Sequence, residues 1–355
     1  MKVMIAAGGT GGHVFPALAV AEEFRRRDPS NQILFVGTQK GLEARVVPAA
    51  GFPLRMLPAA GFKGVGLGAK LRSLSLLPRS VGGSLALLRE FDPDVVFGVG
   101  GYASGAAMFA AALTGRPTVL FEPNAEPGFA NRLLRPLVTR AAVTYKETLP
   151  RFGAKAFLSG SPVRAGFFQV PAKMHRPPFT VLIFGGSQGA QALNQAVIDS
   201  LPYLQAGGRS LRFIHQTGER DYNGVRVAYA RREIQAEVVP FIADMPARIA
   251  EADLVICRAG ASTVAELAAA GRAALLVPFP HATDQHQLRN AQAMVRAGAA
   301  QLLEQSRMSG ERLAREVLEL LAHPERLTQM KNAARQLAVP DAAARIAGLI
   351  ESVAR

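Results

Sequence analysis

Cysteine is nearly missing from this chain and tryptophan is missing altogether: 355 residues hold one Cys and no Trp. A single thiol excludes an internal disulfide, and with it the disulfide-stapled class of secreted domain. That thiol, Cys257, ends the run Leu254-Val255-Ile256-Cys257, which reads as a buried strand. A buried cysteine is an inert small hydrophobe, not a nucleophile. Without Trp, and with no basic run interleaved with aromatics, the chain lacks the stacking surface of a nucleic-acid binder, so none is expected as partner. No uncharged apolar run approaches the roughly 20 residues of a transmembrane helix. Met1-Lys2 leads straight into an apolar segment that glycines interrupt, which is not a signal-peptide pattern. The expected place is the cytosol or a membrane surface.

Acid is scarce along one stretch. Between Phe62 and Arg89 there is no Asp or Glu, while Lys63, Lys70, Arg72, Arg79 and Arg89 all fall there. Leu67, Leu71, Leu74, Leu76, Leu77, Val81, Leu85 and Leu88 lie among them. The whole chain carries a formal charge of +14, a balance that attracts anions. The basic and apolar mixture over 63–89 suits an anionic membrane surface, with Leu74–Leu85 as the part that would touch lipid. The plainer reading is an amphipathic helix with solvated arginines on its outer face.

Glycine, in contrast, is placed with purpose. Val3-Met4-Ile5-Ala6-Ala7 runs into Gly8-Gly9-Thr10-Gly11-Gly12-His13 and then into an Ala-rich helix from Pro16 to Arg27. Val181-Leu182-Ile183-Phe184 repeats the pattern, running into Gly185-Gly186-Ser187-Gln188-Gly189-Ala190 and a helix. Glycine lets backbone approach a ligand, and a helix N-terminus offers N–H groups to a phosphate. Other expected strands are Ile33–Val36, Leu54–Leu57, Val95–Gly98, Thr118–Phe121 and Ala141–Thr144. Those after the midpoint are Leu211–His215, Glu237–Val239, Leu254–Cys257 and Ala274–Val277. Helices are expected at 103–114, 190–201, 263–270 and 285–297. Short apolar strands alternating with helices predict an α/β chain of two Rossmann-like parallel-sheet domains facing across a cleft. The domains are expected at 1–162 and 163–340, with a Pro- and Gly-rich linker near Ser159–Pro178. A helical tail over 311–355 is broken at Pro340, and its last helix, 341–355, packs back on the first domain.

Two familiar nucleotide readings fail. A dinucleotide fingerprint counted from Gly9 would need its third glycine at Val14, and the second strand ends Val36-Gly37-Thr38 without the ribose-binding acid. A Walker loop needs Gly-Lys-Ser/Thr, whereas Gly12 is followed by His13. In Arg258–Glu266, small residues before Thr263 open a helix whose N–H groups could hold a diphosphate, with Glu266 one turn in for a ribose diol. Taken alone, Ser262 or Thr263 is merely a cap and Glu266 complements the helix dipole. Pro280–Gln287 crowds polar residues suited to sugar hydroxyls. Read as metal ligands, His281, Asp284 and His286 lack a supporting group nearby, so no metal is expected. Asp92-Pro93-Asp94 sits at the amino end of a strand and reads as a turn.

The glycine loops together with Gly100-Gly101-Tyr102, Gly160–Arg164 and Gly260–Glu266, in this order, resemble the MurG family over essentially the whole chain. The resemblance implies a GT-B fold and transfer of N-acetylglucosamine from UDP-N-acetylglucosamine to lipid I, giving lipid II with inversion at the sugar. It implies no cofactor, work at the cytoplasmic face of the membrane, and other cell-wall synthesis proteins as further partners. It places donor sugar and diphosphate near Thr10, Gly11, Gly12 and Asn124. It places Arg164, Ser187, Ile242, Ala261, Ser262, Thr263, Val264, Ala265, Glu266 and Gln287 around nucleotide and sugar. Within that set Ile242 offers backbone to uracil and Glu266 holds the ribose. Gly100, Gly101, Tyr102 and Ser104, with the loop at Gly12, would meet the acceptor's diphosphate. Where the family often has His-Glu-Gln-Asn this chain has Phe121-Glu122-Pro123-Asn124, so Asn124 carries over and any role of the missing His or Gln does not. An inverting transfer needs one base for the acceptor hydroxyl. His13 is the first candidate by position and titration range, unless it only orients phosphate or sugar. Glu122 is its competitor, unless it buttresses its loop. Other UDP-sugar enzymes, a glycolipid synthase or a UDP-N-acetylglucosamine epimerase, are the alternative.

Overall fold

Two units divide the chain in the computed structural model: unit 1 is Met1–Arg164 with Val339–Arg355, and unit 2 is Ala165–Ala338. Residues 1–39, 41–58, 67–124, 126–282 and 285–355 are described, without the side chains of 67–75, 77 and 102.

Unit 1 is built on the strands β1 (Lys2–Ala7), β2 (Gln32–Gly37), β3 (Leu54–Met56), β4 (Val95–Gly100), β5 (Thr118–Glu122), β6 (Arg140–Val143) and β7 (Ala156–Leu158). They lie in the order β3-β2-β1-β4-β5-β6-β7, all parallel. Unit 2 carries β8 (Phe179–Phe184), β9 (Leu211–Gln216), β10 (Ala236–Val239), β11 (Leu254–Cys257), β12 (Ala274–Leu276) and β13 (Ala300–Leu302). Their order is β10-β9-β8-β11-β12-β13, again parallel. Both are doubly wound α/β sheets, and each reverses direction at its first strand. The reversal leaves a crevice beyond the carboxyl ends of β1 and β4, and another beyond β8 and β11. The expected glycine loops leave those four strands.

The cores explain the near-continuous apolar strands. Val3, Ile5, Val95 and Phe97 are wholly buried on one face of the first sheet, against Val14, Ala17 and Phe24 of the helix Gly11–Arg27. Met4, Ala6 and Val96 fill the other face. Ile346, Ala347 and Ile350 of the last helix, Ala342–Glu351, join the first cluster. Arg27 ties that helix down with a 2.6 Å ion pair to Glu351 and a 2.6 Å bond to the Ala344 carbonyl.

Several boundaries differ from those expected. β7 and β13 are edge strands of three residues, too short for a periodic signal. The Ser159–Pro178 segment contains a helical turn, Ala165–Phe168. The tail breaks at His323-Pro324 as well as before Ala342, since Pro324 opens its own helix. Helix Leu67–Phe91 occupies most of the basic-apolar segment. Its described second half follows the plainer amphipathic reading, because Leu88 is core and Val81, Leu85, Leu87 and Phe91 pack against it. Residues 63–66 and the side chains of Lys70, Leu71, Arg72, Leu74 and Leu77 lie outside the described residues. No described helix is long and apolar enough to cross a membrane. Asp92-Pro93-Asp94 is structural: Asp94 accepts the Lys2 N–H at 2.7 Å and Asp92 pairs with Arg116 at 2.7 Å.

Candidate functional site

The β1 loop is shorter than its glycine run. Thr10 is the extended residue before the helix, and Gly11, Gly12 and His13 form the first turn rather than a loop. The His13 and Val14 N–H groups both donate to the Thr10 carbonyl at 3.1 Å. No side chain caps this N-terminus, whereas Asp244 and Ser309 do cap the helices Met245–Glu251 and Gly310–Ala322. His13 Nδ1 lies 3.2 Å from the Gly8 carbonyl oxygen and 3.4 Å from Thr10 Oγ1. A carbonyl only accepts, so Nδ1 carries the proton and Nε2 is the basic nitrogen of the ring.

The β4 loop packs directly on this turn. After a register shift, Ala7 pairs with Gly100. A Cβ on Gly100 would stand 2.6 Å from His13 Cδ2, and one on Gly101 would stand 2.3 Å from the Gly8 oxygen. Both residues have positive φ, +115° and +87°, so glycine is required on two counts. Ser104 is buried and its hydroxyl accepts the Gly100 N–H at 3.3 Å, so it shapes the loop from behind. Tyr102 opens the helix Tyr102–Leu113, and its side chain lies outside the described residues.

Glu122 ends β5 in full burial. One oxygen accepts the Asn124 backbone N–H at 3.0 Å and Asn124 Nδ2 at 3.2 Å; the other accepts Gly128 N–H at 3.0 Å and Asn131 Nδ2 at 2.8 Å. Burial pushes its carboxyl up, and the four N–H donors oppose that. The carboxylate thus ties down the backbone at Asn124 and Gly128 and the side chains of Asn124 and Asn131, the contacts that a buttress of its loop makes. Arg164 sits with its guanidinium 4.4 Å from the centre of the Phe15 ring. Glu22 on the same helix feels Arg164 as well, although burial dominates and raises its carboxyl.

Sequence reasoning missed Glu43. The acid absent at the end of β2 arrives in the first turn of the helix Glu43–Ala49, wholly buried behind the β1 loop. The signal was its setting, Gly37-Thr38 and Gly41-Leu42-Glu43, where two glycines clear room for one carboxylate.

Unit 2 presents its own set after β8, β10, β11 and β12. The loop Gly185–Gly189 is pressed on the β9 loop: a Cβ on Gly189 would fall 1.9 Å from the Thr217 oxygen. Gln216 Nε2 donates to the Gly186 carbonyl at 2.7 Å, and Ser187 is half-buried at the loop's outer edge. Ile242 is buried in the loop after β10. The helix Ala261–Ala270 has Gly260 as its N-cap and no side-chain cap. Ser262 and Thr263 are therefore first-turn residues, not caps. Glu266 lies one turn in, half-buried, and adds to the burial that pushes the Cys257 thiol up. Arg258 is structural, donating to the Val277 and Pro278 carbonyls at 3.1 Å and to Gln305 Oε1 at 2.7 Å. Gln287 Oε1 accepts the Phe279 N–H at 2.9 Å. His281 is exposed and stacked edge-on against Phe279. Asp284, the third member of the metal reading, lies outside the described residues, which hold no group of three potential ligands.

In unit 1 the structure thus brings together Gly8–His13, Gly100 and Gly101, with Glu122 and Asn124 at the end of β5, the strand next to β4, on the same sheet edge. In unit 2 it lines Ser187, Ala261–Glu266 and Gln287 along one edge of the second sheet. Uncapped helix starts at both edges can receive negative charge.

Known proteins match this chain over most of its length. Residues 3–143 match the glycosyltransferase family 28 N-terminal domain, and residues 180–346 the family 28 C-terminal domain. A UDP-N-acetylglucosamine--N-acetylmuramyl-(pentapeptide) pyrophosphoryl-undecaprenol N-acetylglucosamine transferase of Myxococcus xanthus (strain DK1622) is 47% identical, over 98% of this chain and 91% of that one. The enzyme of the same name from Syntrophus aciditrophicus (strain SB) is 45% identical, over 95% and 94%. The crystal structure of Acinetobacter baumannii MurG superposes with a TM-score of 0.75 at 33% identity, covering 99% of both chains. A UDP-GlcNAc 2-epimerase from Neisseria meningitidis reaches a TM-score of 0.72 over 99% of this chain and 100% of its own, but at 13% identity it shares the fold alone.

Proposed function

Since the chain belongs to glycosyltransferase family 28, among the UDP-N-acetylglucosamine--N-acetylmuramyl-(pentapeptide) pyrophosphoryl-undecaprenol N-acetylglucosamine transferases, we propose that it moves N-acetylglucosamine from its UDP donor to lipid I. The product is lipid II, a peptidoglycan precursor. The observation that carries the residue-level reading is the pairing of His13, poised with Nε2 as acceptor, with two loops of obligatory glycine.

Unit 2 takes the nucleotide. Ile242 offers backbone to uracil, Glu266 accepts from the ribose diol, and Ser187 and the N–H groups of 261–265 face the diphosphate. Gln287 and Arg164 complete the donor's surroundings, and Asn124 with Thr10 reaches the sugar. The unit 1 loops at Gly11, Gly12 and Gly100–Tyr102 receive the acceptor's diphosphate. His13 Nε2 removes the proton from the acceptor hydroxyl while that oxygen bonds to the anomeric carbon. The bond from that carbon to the UDP oxygen breaks, and helix N-termini stabilise the charge left on UDP. Attack from the face opposite UDP inverts the anomeric centre, through an oxocarbenium-like transition state. Glu122 positions the Asn124 loop and takes no proton.

Unit 1 docks on an anionic membrane at the cytoplasmic face. Leu113, Phe129 and Leu133 are 63%, 61% and 62% exposed on helices that pack together, and the exposed Arg132 and Arg135 stand beside them. Apolar side chains ringed by arginine match lipid chains and headgroup phosphates.

A transfer assay with UDP-N-acetylglucosamine and a soluble lipid I analogue tests the function. UDP should appear only when the acceptor is present, with one sugar added per UDP. UDP release without acceptor, or conversion of the donor to a 2-epimer, would refute it.

A further inference from the structure

Glu43 is fully buried beneath the β1 loop, yet it meets neither donor nor acceptor in the reading above. Its Oε1 accepts the Thr38 N–H at 2.7 Å and the Thr38 hydroxyl at 2.8 Å, and its Oε2 accepts the Gly9 N–H at 2.8 Å. The fit is close on every side. A Cβ on Gly8, Gly37 or Gly41 would meet Glu43 side-chain atoms at 2.7, 2.5 and 2.0 Å. Three glycines thus leave the space that this one side chain fills.

The Gly9 N–H and the Gly8 carbonyl are the two ends of a single peptide group. That carbonyl is the acceptor for His13 Nδ1 at 3.2 Å. Carboxylate, peptide and imidazole therefore stand in series. A negative group at the N–H end polarises the peptide and makes its carbonyl a better acceptor. In a Ser-His-Asp triad the carboxylate contacts the imidazole directly and sets its tautomer. Carboxylates behind metal-binding histidines do the same. Here one peptide group is interposed.

We propose that Glu43 is a positioning residue for the transfer: through the Gly8–Gly9 peptide it holds His13 in the Nδ1–H tautomer, so that Nε2 accepts the hydroxyl proton, and it stabilises the imidazolium that forms. The ring then carries protons on both nitrogens, with Nδ1–H still bonded to the Gly8 oxygen. The electron pair of the hydroxyl oxygen goes to the anomeric carbon, and that of the broken bond leaves with UDP. The proposal rests on His13 as the base.

The test is Glu43→Gln in the full chain labelled with 15N-histidine, with the His13 signals assigned by their loss in His13→Ala. Wild-type His13 should show the Nδ1–H form. In Glu43→Gln the Nε2–H form should become a major species, with kcat lower by about 10- to 100-fold and the donor KM within about twofold. A folded Glu43→Gln with the wild-type tautomer overturns the proposal, as does a wild-type spectrum showing Nε2–H. A changed tautomer with unchanged kcat retires the base reading, and the catalytic half of this proposal with it. If Glu43→Gln does not fold, Glu43→Asp serves instead, since it draws the carboxylate one methylene back from Gly9. The same changes are expected there at smaller size, and a wild-type tautomer in it overturns the proposal.

Discussion

Gly100 makes room for His13: a Cβ on this glycine would lie 2.6 Å from the ring's Cδ2 and 2.8 Å from its Nε2. The contact predicts that Gly100→Ala damages catalysis more than folding. Alanine at a φ of +115° is strained, by about 1 kcal/mol or more. The added methyl must also push the imidazole off its hydrogen bond to Gly8. A displacement of about 1 Å can lower turnover by about 100-fold. Steady-state kinetics should therefore show kcat falling by that order while the donor KM holds. A variant with wild-type kcat would mean that the ring position is irrelevant to the chemistry.

Glu266 makes a separate prediction about the nucleotide. A carboxylate accepting from a ribose hydroxyl contributes about 1.5–3 kcal/mol, which is about 10- to 100-fold in affinity. Glu266→Ala should raise the UDP Kd by that factor, measured by calorimetry. The same change should erase the preference of the wild type for UDP over 2′-deoxy-UDP. If the preference survives, Glu266 serves only the helix dipole.

These two sites were legible to different degrees. β1, β4 and β8 could be read because each is a buried apolar run closed by glycine, and β11 because Gly260 follows its apolar run by three residues, whereas the sheet order that sets both crevices came from the structure. Glu266 and the helix behind Gly260 came from the same pattern. Glu43 could not be read so, because one of its oxygens accepts the Gly9 N–H from a loop 34 residues earlier in the chain. The part Ser104 plays inside its own loop was hidden for a related reason: its hydroxyl accepts the Gly100 N–H, a backbone contact that sequence does not display. The helix start at Gly11 escaped propensity because glycine disfavours helix interiors, yet the first turn tolerates it. β7 and β13 carry three residues each, too few to alternate.

His215 should make unit 2 sensitive to acid. It is wholly buried on β9, with Nε2 3.1 Å from Asn194 Oδ1 and Nδ1 3.3 Å from the Tyr229 hydroxyl. Asn194 Nδ2 is already donating to the Thr217 carbonyl. The amide oxygen therefore accepts from Nε2–H, and Nδ1 accepts from the tyrosine. This is the opposite tautomer to that of His13, in a role that packing alone explains. Burial pushes the imidazole down to about 3. An unfolded histidine titrates near 6.5, so between those values the unfolded chain binds a proton that the folded chain refuses. Stability is present above about pH 6.5 and is lost as the pH falls toward 3, at up to about 1.4 kcal/mol per pH unit. Urea unfolding of the wild type and of His215→Gln, from pH 7.5 down to 4.5, checks this. The stability gap between them should narrow as the pH falls, and parallel curves would contradict it.

The apolar patch on unit 1 predicts a separation of membrane binding from chemistry. Phe129 and Leu133 are each more than half exposed, on a short helix anchored from beneath by the buried Leu134 and Asn131. Replacing the two by serine removes outward-facing apolar surface and leaves the anchors in place, so Tm should change little. Taking two large side chains out of a bilayer costs about 3–6 kcal/mol of insertion energy. Co-sedimentation of Phe129→Ser/Leu133→Ser with vesicles of anionic phospholipid should therefore fall by at least about 100-fold in partition coefficient. Turnover on a soluble acceptor analogue should stay at the wild-type rate, because the glycine loops and His13 are untouched. Arg132→Glu/Arg135→Glu should weaken the same binding and flatten its dependence on salt, as headgroup attraction requires. Undiminished vesicle binding in both double variants would move the membrane contact to another face of the unit.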